Sequence, residues 1–257
     1  MRFMVEILLS GDQLVIPSDY RRNILSLIKE AINPNQTSTD IYEKYYVKEA
    51  RKMKPFTFSV SFITDAAHNE KGFLCLSEPW LNLHFSASDP VFLIYVYNGL
   101  VQLKKDYPLF SGLKAKVGHF NLEQQKNFRG GEALFKTCSP IIVRDTDASG
   151  KSRGYITTDS PDFEDRLYHS VKSMSKVLLD EALELKRNDF AAELINTRTV
   201  RISHYTKKDA PRDSKKELIE ATAGIIKIKA PVNVLQLIYD AGIGAKRSQG
   251  FGMLEIL

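Results

Sequence analysis

One order of elements, read twice along the chain, constrains this sequence most. Arg2 to Ser10 alternates, with Phe3, Val5, Ile7 and Leu9 on one face, as a half-buried strand does. Pro17-Ser18-Asp19 supplies helix-start chemistry, and Leu25, Ile28 and Ile32 recur at helical spacing until Asn33-Pro34-Asn35 stops them. Phe56 to Ile63 and Leu81 to Phe85 read as strands. Ser88-Asp89-Pro90 opens an apolar helix over Val91 to Leu103, and Lys114 to Leu122 alternates again. The order is β-α-β-β-α-β.

The second half gives the same order. Ala133 to Val143 is a strand that Pro140 should bend or hold at a sheet edge. Phe163, Leu167, Val171, Met174, Leu178 and Leu185 outline a long amphipathic helix. Thr199 to Tyr205 and Ile219 to Ile228 are strands, Val232 to Ala241 is a short helix, and Phe251 to Ile256 closes the chain as a strand. The halves share no residue pattern, so the element order alone carries the inference. It is the split β-α-β order, which predicts an α+β chain of two tandem ferredoxin-like (RRM-like) βαββαβ domains. Gly130-Gly131 marks the join, with residues 1–124 as the first domain and 125–257 as the second.

Composition narrows the partner only a little. Lys and Arg total 36 against 31 Asp and Glu, a formal charge of +5, which suits a polyanion without demanding one. Cys75 and Cys138 belong to no C-x-x-C pair and read as small buried hydrophobes. Glu6 interrupts the apolar start, which argues against a signal peptide, and no apolar run reaches the roughly 20 residues of a spanning helix. A cytoplasmic protein with no membrane partner is expected. His68 sits beside a turn and His84 within a strand; His119, His169 and His204 fit no ligand spacing, so neither a metal nor another cofactor is expected.

The most specific motif lies near the end, where Gly242-Ile-Gly244-Ala-Lys246-Arg247-Ser248-Gln-Gly250-Phe251-Gly252 joins a helix to a strand. Glycine admits positive φ and a close approach of backbone to ligand, and amides freed in such a loop can face phosphate oxygens. Lys246 and Arg247 add cations and Ser248 a hydroxyl. The loop runs from helix to strand, the reverse of a dinucleotide fingerprint. A second basic cluster, Arg198, Arg201, Lys207, Lys208, Arg212, Lys215 and Lys216, could follow an RNA backbone by releasing its counterions, or could simply solubilise a hairpin.

The pattern G-h-G-x5-G-F-G at the end of a double βαββαβ chain resembles the signature loop of the CRISPR repeat-processing endoribonucleases, within the RAMP superfamily. Met1-Arg-Phe3, Val15-Ile-Pro17, Lys54-Pro-Phe56-Thr57-Phe58-Ser59 and Thr137-Cys-Ser139-Pro140-Ile-Ile-Val143 are similar to the same family, so the likeness covers essentially the whole chain.

The resemblance implies a metal-independent endoribonuclease. In it the 2′-hydroxyl attacks the adjacent phosphate and leaves 2′,3′-cyclic phosphate and 5′-hydroxyl ends. It implies a tyrosine on the first helix, a histidine after it, and a lysine before the F-T-F-S strand. Those positions fall on Lys29, Lys48 and Lys54 here, and no histidine occurs between Met1 and Pro55. Lysines can stabilise phosphorane charge and protonate a leaving oxygen, and crowding them favours some neutral amine. Tyr42, Tyr45 and Tyr46 are nearby candidates for stacking or packing.

RNA binding is expected at Gly242, Gly244, Lys246, Arg247, Ser248, Gly250, Phe251, Arg201, Lys207 and Lys208. The implied partner is CRISPR repeat RNA, single-stranded or in a stem-loop, with other CRISPR-associated proteins or a second copy of the chain as further candidates. Two alternatives stand beside the enzyme: a non-catalytic RNA-binding relative, and a structural RAMP subunit of a guide-RNA complex. A generic RNA-recognition module would need stacking aromatics on its central strands, and no clear set of them occurs.

Overall fold

A computed structural model describes residues 1–33, 39–46, 53–65, 67, 72–103, 106–147, 152–179, 184–204 and 217–257. The first half holds β1 (Arg2–Ser10), β2 (Val15–Pro17), α1 (Arg21–Ala31), α2 (Thr39–Tyr46), β3 (Phe56–Ser61), β4 (Phe73–Cys75), β5 (Trp80–Ala87), α3 (Pro90–Gln102), β6 (Tyr107–Phe110) and β7 (Leu113–Glu123). The second holds β8 (Glu132–Thr137), β9 (Val143–Thr146), β10 (Ser152–Ile156), α4 (Phe163–Leu178), β11 (Ala191–His204), β12 (Glu217–Lys229), α5 (Val232–Ala241) and β13 (Leu254–Ile256).

The first sheet is ordered β3-β5-β1-β7-β6 and antiparallel at every pairing. Setting β6 aside, β1, β3, β5 and β7 take the ferredoxin-like order, with the first and third strands at the centre. The second sheet, β11-β12-β8-β13, repeats that order with its own four strands. The chain is α+β, built as two tandem ferredoxin-like domains.

Alternation explains the first core. Phe3, Val5 and Ile7 are fully buried and Leu9 nearly so, and they meet Ile24, Leu27 and Ile28 of α1 and Phe92, Val96 and Leu100 of α3. Helix α3 starts where the sequence placed it because the Asp89 carboxylate accepts from the amides of Val91 and Phe92 at 2.9 and 3.1 Å, with Pro90 at its first turn. In the second core, Phe163, Leu167, Val171 and Met174 of α4 pack with Val234, Leu235 and Ile238 of α5 over Phe135 and Ile228.

Several elements differ from the sequence reading. The strand from Ala133 ends at Thr137, because the Cys138 and Ser139 amides turn to the Met253 carbonyl and Pro140 cannot donate. Helix α4 stops at Leu178, so Leu185 reaches the core from outside the helix. Strand β11 begins at Ala191, eight residues before Thr199, since β12 offers it a partner along its whole length. The cysteines are not both buried: Cys75 is half-buried and Cys138, just past the end of β8, is exposed. Among the described residues no helix is long and apolar enough to cross a membrane.

Candidate functional site

The domains meet across one row of residues. Arg2, Ser86 and Thr57 are cross-strand neighbours on β1, β5 and β3, and all three are buried. Each donates to a main-chain carbonyl of the second domain: the Arg2 guanidinium to Tyr239, the Ser86 hydroxyl to Asp240 at 2.7 Å, and the Thr57 hydroxyl to Phe251 at 2.8 Å. Arg2 also lies 3.4 Å from the centre of the Tyr239 ring, and the chain's first amine pairs with Asp240 at 3.0 Å. Polar side chains on a sheet face would be costly to bury unpaired, so this row fixes the domains to one another.

The glycine-rich loop is held in the same interface. Its amides bind the segment after β8: Gly252 donates to Pro140 and Ala245 to Ile142, at 2.9 and 2.7 Å, while the Ser139 hydroxyl accepts from the Met253 amide at 2.9 Å. Arg21 of α1 donates to the Gly250 carbonyl at 3.2 Å. The close approach that glycine permits is therefore to the protein itself. Gly250 has φ +87°, and a Cβ there would stand 2.6 Å from the Phe58 ring; one at Gly242, at φ +80°, would stand 2.9 Å from Thr57.

The loop residues expected to bind RNA differ in how far they are exposed. Gly242 and Gly250 are buried, Gly244 is buried but lines a cleft, and the Phe251 ring has no exposed surface. Phe251 packs with Ile142, Ile202, Ile219 and Ala221, with the Arg21 guanidinium 5.0 Å from its ring centre. Arg247 is no loose surface charge either. Its guanidinium donates to the Ala241 carbonyl at 2.7 Å, and burial pushes its pKa down to about 10. Lys246, the tip residue, takes a left-handed conformation at φ 58° and stays half-buried, as does Ser248.

What the loop does present is one wall of a cleft of about 560 Å³. Lys246, Arg247 and Ser248 line it together with Lys54 from the first domain and Arg144, Arg166 and His169 from the second. The concentration of cations suits a phosphodiester.

Lys54 is a partly buried amine of this cleft. Burial, and then the charge of Lys29, holds its amine below the usual lysine range. Lys29 lies in the last turn of α1, and both ammonium groups face the Tyr46 ring of α2, at 5.4 Å for Lys29 and 4.2 Å for Lys54. Tyr46 is stacked on Tyr42, its hydroxyl has no hydrogen-bond partner among the described residues, and burial pushes its phenol pKa upward, so it stays protonated. Tyr45 is buried and donates to Asp89 at 2.9 Å. Two of the three expected lysines thus converge on one ring; Lys48 lies outside the described residues.

Of the second basic cluster, Arg201 is exposed on β11 and paired with Glu220 of β12 at 3.1 Å. Lys207 and Lys208 lie outside the described residues. Sequence reasoning missed Arg144, Arg166 and His169. Arg166 and His169 are three apart on the polar face of a helix, and that spacing alone could have paired them. His84 bonds Ser61 across the first sheet at 3.1 Å and lies 3.6 Å from Glu123, away from this cleft. Among the described residues no three His, Cys, Asp or Glu side chains converge to hold a metal.

The chain is thus a tandem ferredoxin-like protein with a cationic cleft to which both domains contribute. A sequence profile of the CRISPR associated protein Cas6 C-terminal family matches residues 122–256, more than half of the chain, and the protein belongs to the Cas6 family. Three solved structures share the fold end to end. A RAMP protein binding different RNA substrates superposes with a TM-score of 0.77 at 22% identity, covering 100% of this chain and 99% of its own. The product of a Cas6-related gene from Pyrococcus furiosus gives 0.78 at 22%, covering 100% and 98%. A CRISPR associated protein Cas6 gives 0.70 at 21%, covering 100% and 99%. No curated protein sequence matches the chain.

Proposed function

We propose that this protein binds CRISPR repeat RNA and cuts it once per repeat, by attack of a 2′-hydroxyl on the neighbouring phosphate. The observation that carries the reading is Lys54, a partly buried amine beside Lys29, opening on a cleft lined by Arg144, Arg166, Lys246 and Arg247. Family membership supports the ligand, and a structural neighbour is described as binding different RNA substrates.

The reaction needs a base at the 2′-hydroxyl, an acid at the leaving 5′-oxygen, and positive charge around the phosphorane. Lys54 is the base, because its depressed pKa raises the fraction of free amine at neutral pH. Burial, and then the charge of Lys29, depresses it, and the cleft cations face the phosphate. The products carry 2′,3′-cyclic phosphate and 5′-hydroxyl ends. No step requires a metal. Residues 1–124 and 125–257 act as the two domains that grip the RNA between them.

The test is cleavage of a single-repeat RNA in EDTA, with the ends mapped. One cut, blocked by 2′-deoxy substitution at the nucleotide before it, is the expected result. Tight binding of intact RNA would overturn the enzyme in favour of a non-catalytic relative. Weak affinity for free repeat, with co-purifying subunits, would favour a structural role.

A further inference from the structure

The cleft holds one titratable group that the reading above leaves idle. Arg166, His169, Ser170 and Ser173 all line it, and their spacing of three, four and seven makes them a single stripe of α4. His169 is exposed over 59% of its side chain, and its Nε2 lies 3.4 Å from the Asp165 carboxylate one turn earlier. The same wall space is shared with Lys54 from the other domain.

We infer that His169 is the general acid of the cleavage, delivering a proton to the leaving 5′-oxygen from the second domain. This rests on the nuclease reading of the cleft. Lys54 takes the proton of the 2′-hydroxyl as the 2′-oxygen bonds to phosphorus. The bond from phosphorus to the 5′-oxygen breaks, and the electron pair it leaves on that oxygen is protonated by the His169 imidazolium. The enzyme ends with a protonated Lys54 and a neutral His169, and solvent exchange restores both.

Histidine suits this role because its charge ordinarily changes between pH 5 and 8. The groups around it are mixed. The Asp165 carboxylate faces the ring and is shared with Arg187 at 3.6 Å. Arg166, paired with Asp145 at 3.6 Å, and Arg144, Lys54, Lys246 and Arg247 bring positive charge from α4, β9, the first domain and the loop. A phosphate bound among those cations offsets their repulsion and sits where the proton is needed. Asp165 therefore positions the ring, and the substrate brings the leaving oxygen to it.

The experiment uses the full chain under single-turnover conditions, with repeat RNA and the same RNA carrying sulfur in place of the bridging 5′-oxygen at the cut. A thiolate leaves without protonation, so an acid is dispensable for the second substrate. His169→Ala should cut ordinary RNA about a hundredfold more slowly, the usual worth of a positioned acid, and cut the sulfur-bridged RNA within a fewfold of the parent rate. The falling limb of the parent's pH–rate profile should vanish in this variant while RNA affinity changes little. Equal slowing on both substrates, slowing matched by lost affinity, or no slowing at all would each overturn the assignment and leave the nuclease reading standing. A parent protein that binds ordinary and sulfur-bridged RNA and cuts neither would overturn both.

Discussion

Thr57 and Ser86 are cross-strand partners on the first sheet, and each directs its hydroxyl to a main-chain carbonyl of the second domain, Phe251 and Asp240. The F-T-F-S strand and the terminal G-F-G turn are therefore two halves of one contact, although they lie 194 residues apart. A motif that resembled a ligand cradle is also a clamp between domains, and the same loop sets Lys246 and Arg247 on the wall of the cleft.

Thr57→Val tests the clamp. Valine fills the same volume but leaves the Phe251 carbonyl buried without its donor, a loss of about 1–3 kcal/mol. The urea midpoint should fall accordingly, and Thr57→Ser should restore most of it. An unchanged midpoint in the valine variant would mean that the hydroxyl does not hold the interface.

Gly250→Ala is expected to cost more than the lost hydrogen bond. The new Cβ would meet the Phe58 ring at 2.6 Å, and the backbone would keep φ +87°, which a β-carbon disfavours. Overpacking alone costs about 1–3 kcal/mol, and the left-handed backbone adds roughly 1–2 more. Thermal unfolding should show a larger fall than Thr57→Val gives.

Much of this fold was legible and the interface was not, for one physical reason. Phe3, Val5, Ile7 and Leu9 announce their strand because alternation is a local consequence of burying one face. Helix α5 was legible over Val232–Ala241 for the same kind of reason. The segment Thr39–Tyr46 was passed over as a helix, since Pro34 reads as a stop and its charges mask the periodicity. The burial of Phe251 depends on Thr57, Arg21, Ile142 and Ile219, each remote in sequence, so composition and spacing around the loop cannot report it. His169 was invisible as a site residue because its partners across the cleft come from the other domain and the loop.

Lys54→Met should make the protein more stable at neutral pH while abolishing cleavage. Burial disfavours the charged amine, so the folded state gives up its proton at a lower pH than the unfolded chain does. Between the lowered folded value and the ordinary 10.5 the unfolded state holds more protons, and stability rises with pH there. Below that window the cost of the buried charge is present in full; above it the cost is gone. The methionine variant lacks this group, so its advantage should be greatest below that window and shrink as pH approaches 10.5. Denaturation midpoints at a series of pH values measure it, and an advantage that grows with pH would contradict the assigned direction.

Lys246 separates the loop's shape from its charge. The residue holds φ 58°, a conformation that asparagine tolerates and alanine does not. Lys246→Asn should therefore keep the unfolding temperature of the parent, whereas Lys246→Ala should lose about 1–2 kcal/mol. Both remove one cation from the cleft wall. If Lys246 neutralises a phosphate, both should weaken repeat-RNA binding and flatten the plot of log affinity against log salt by about 0.7–0.9, the worth of one contact. Lys246→Arg keeps the charge and should keep the slope. An unaltered slope in the asparagine variant would remove Lys246 from the RNA interface and leave it as a turn residue, whereas a flattened slope with normal stability assigns its ammonium to the RNA backbone.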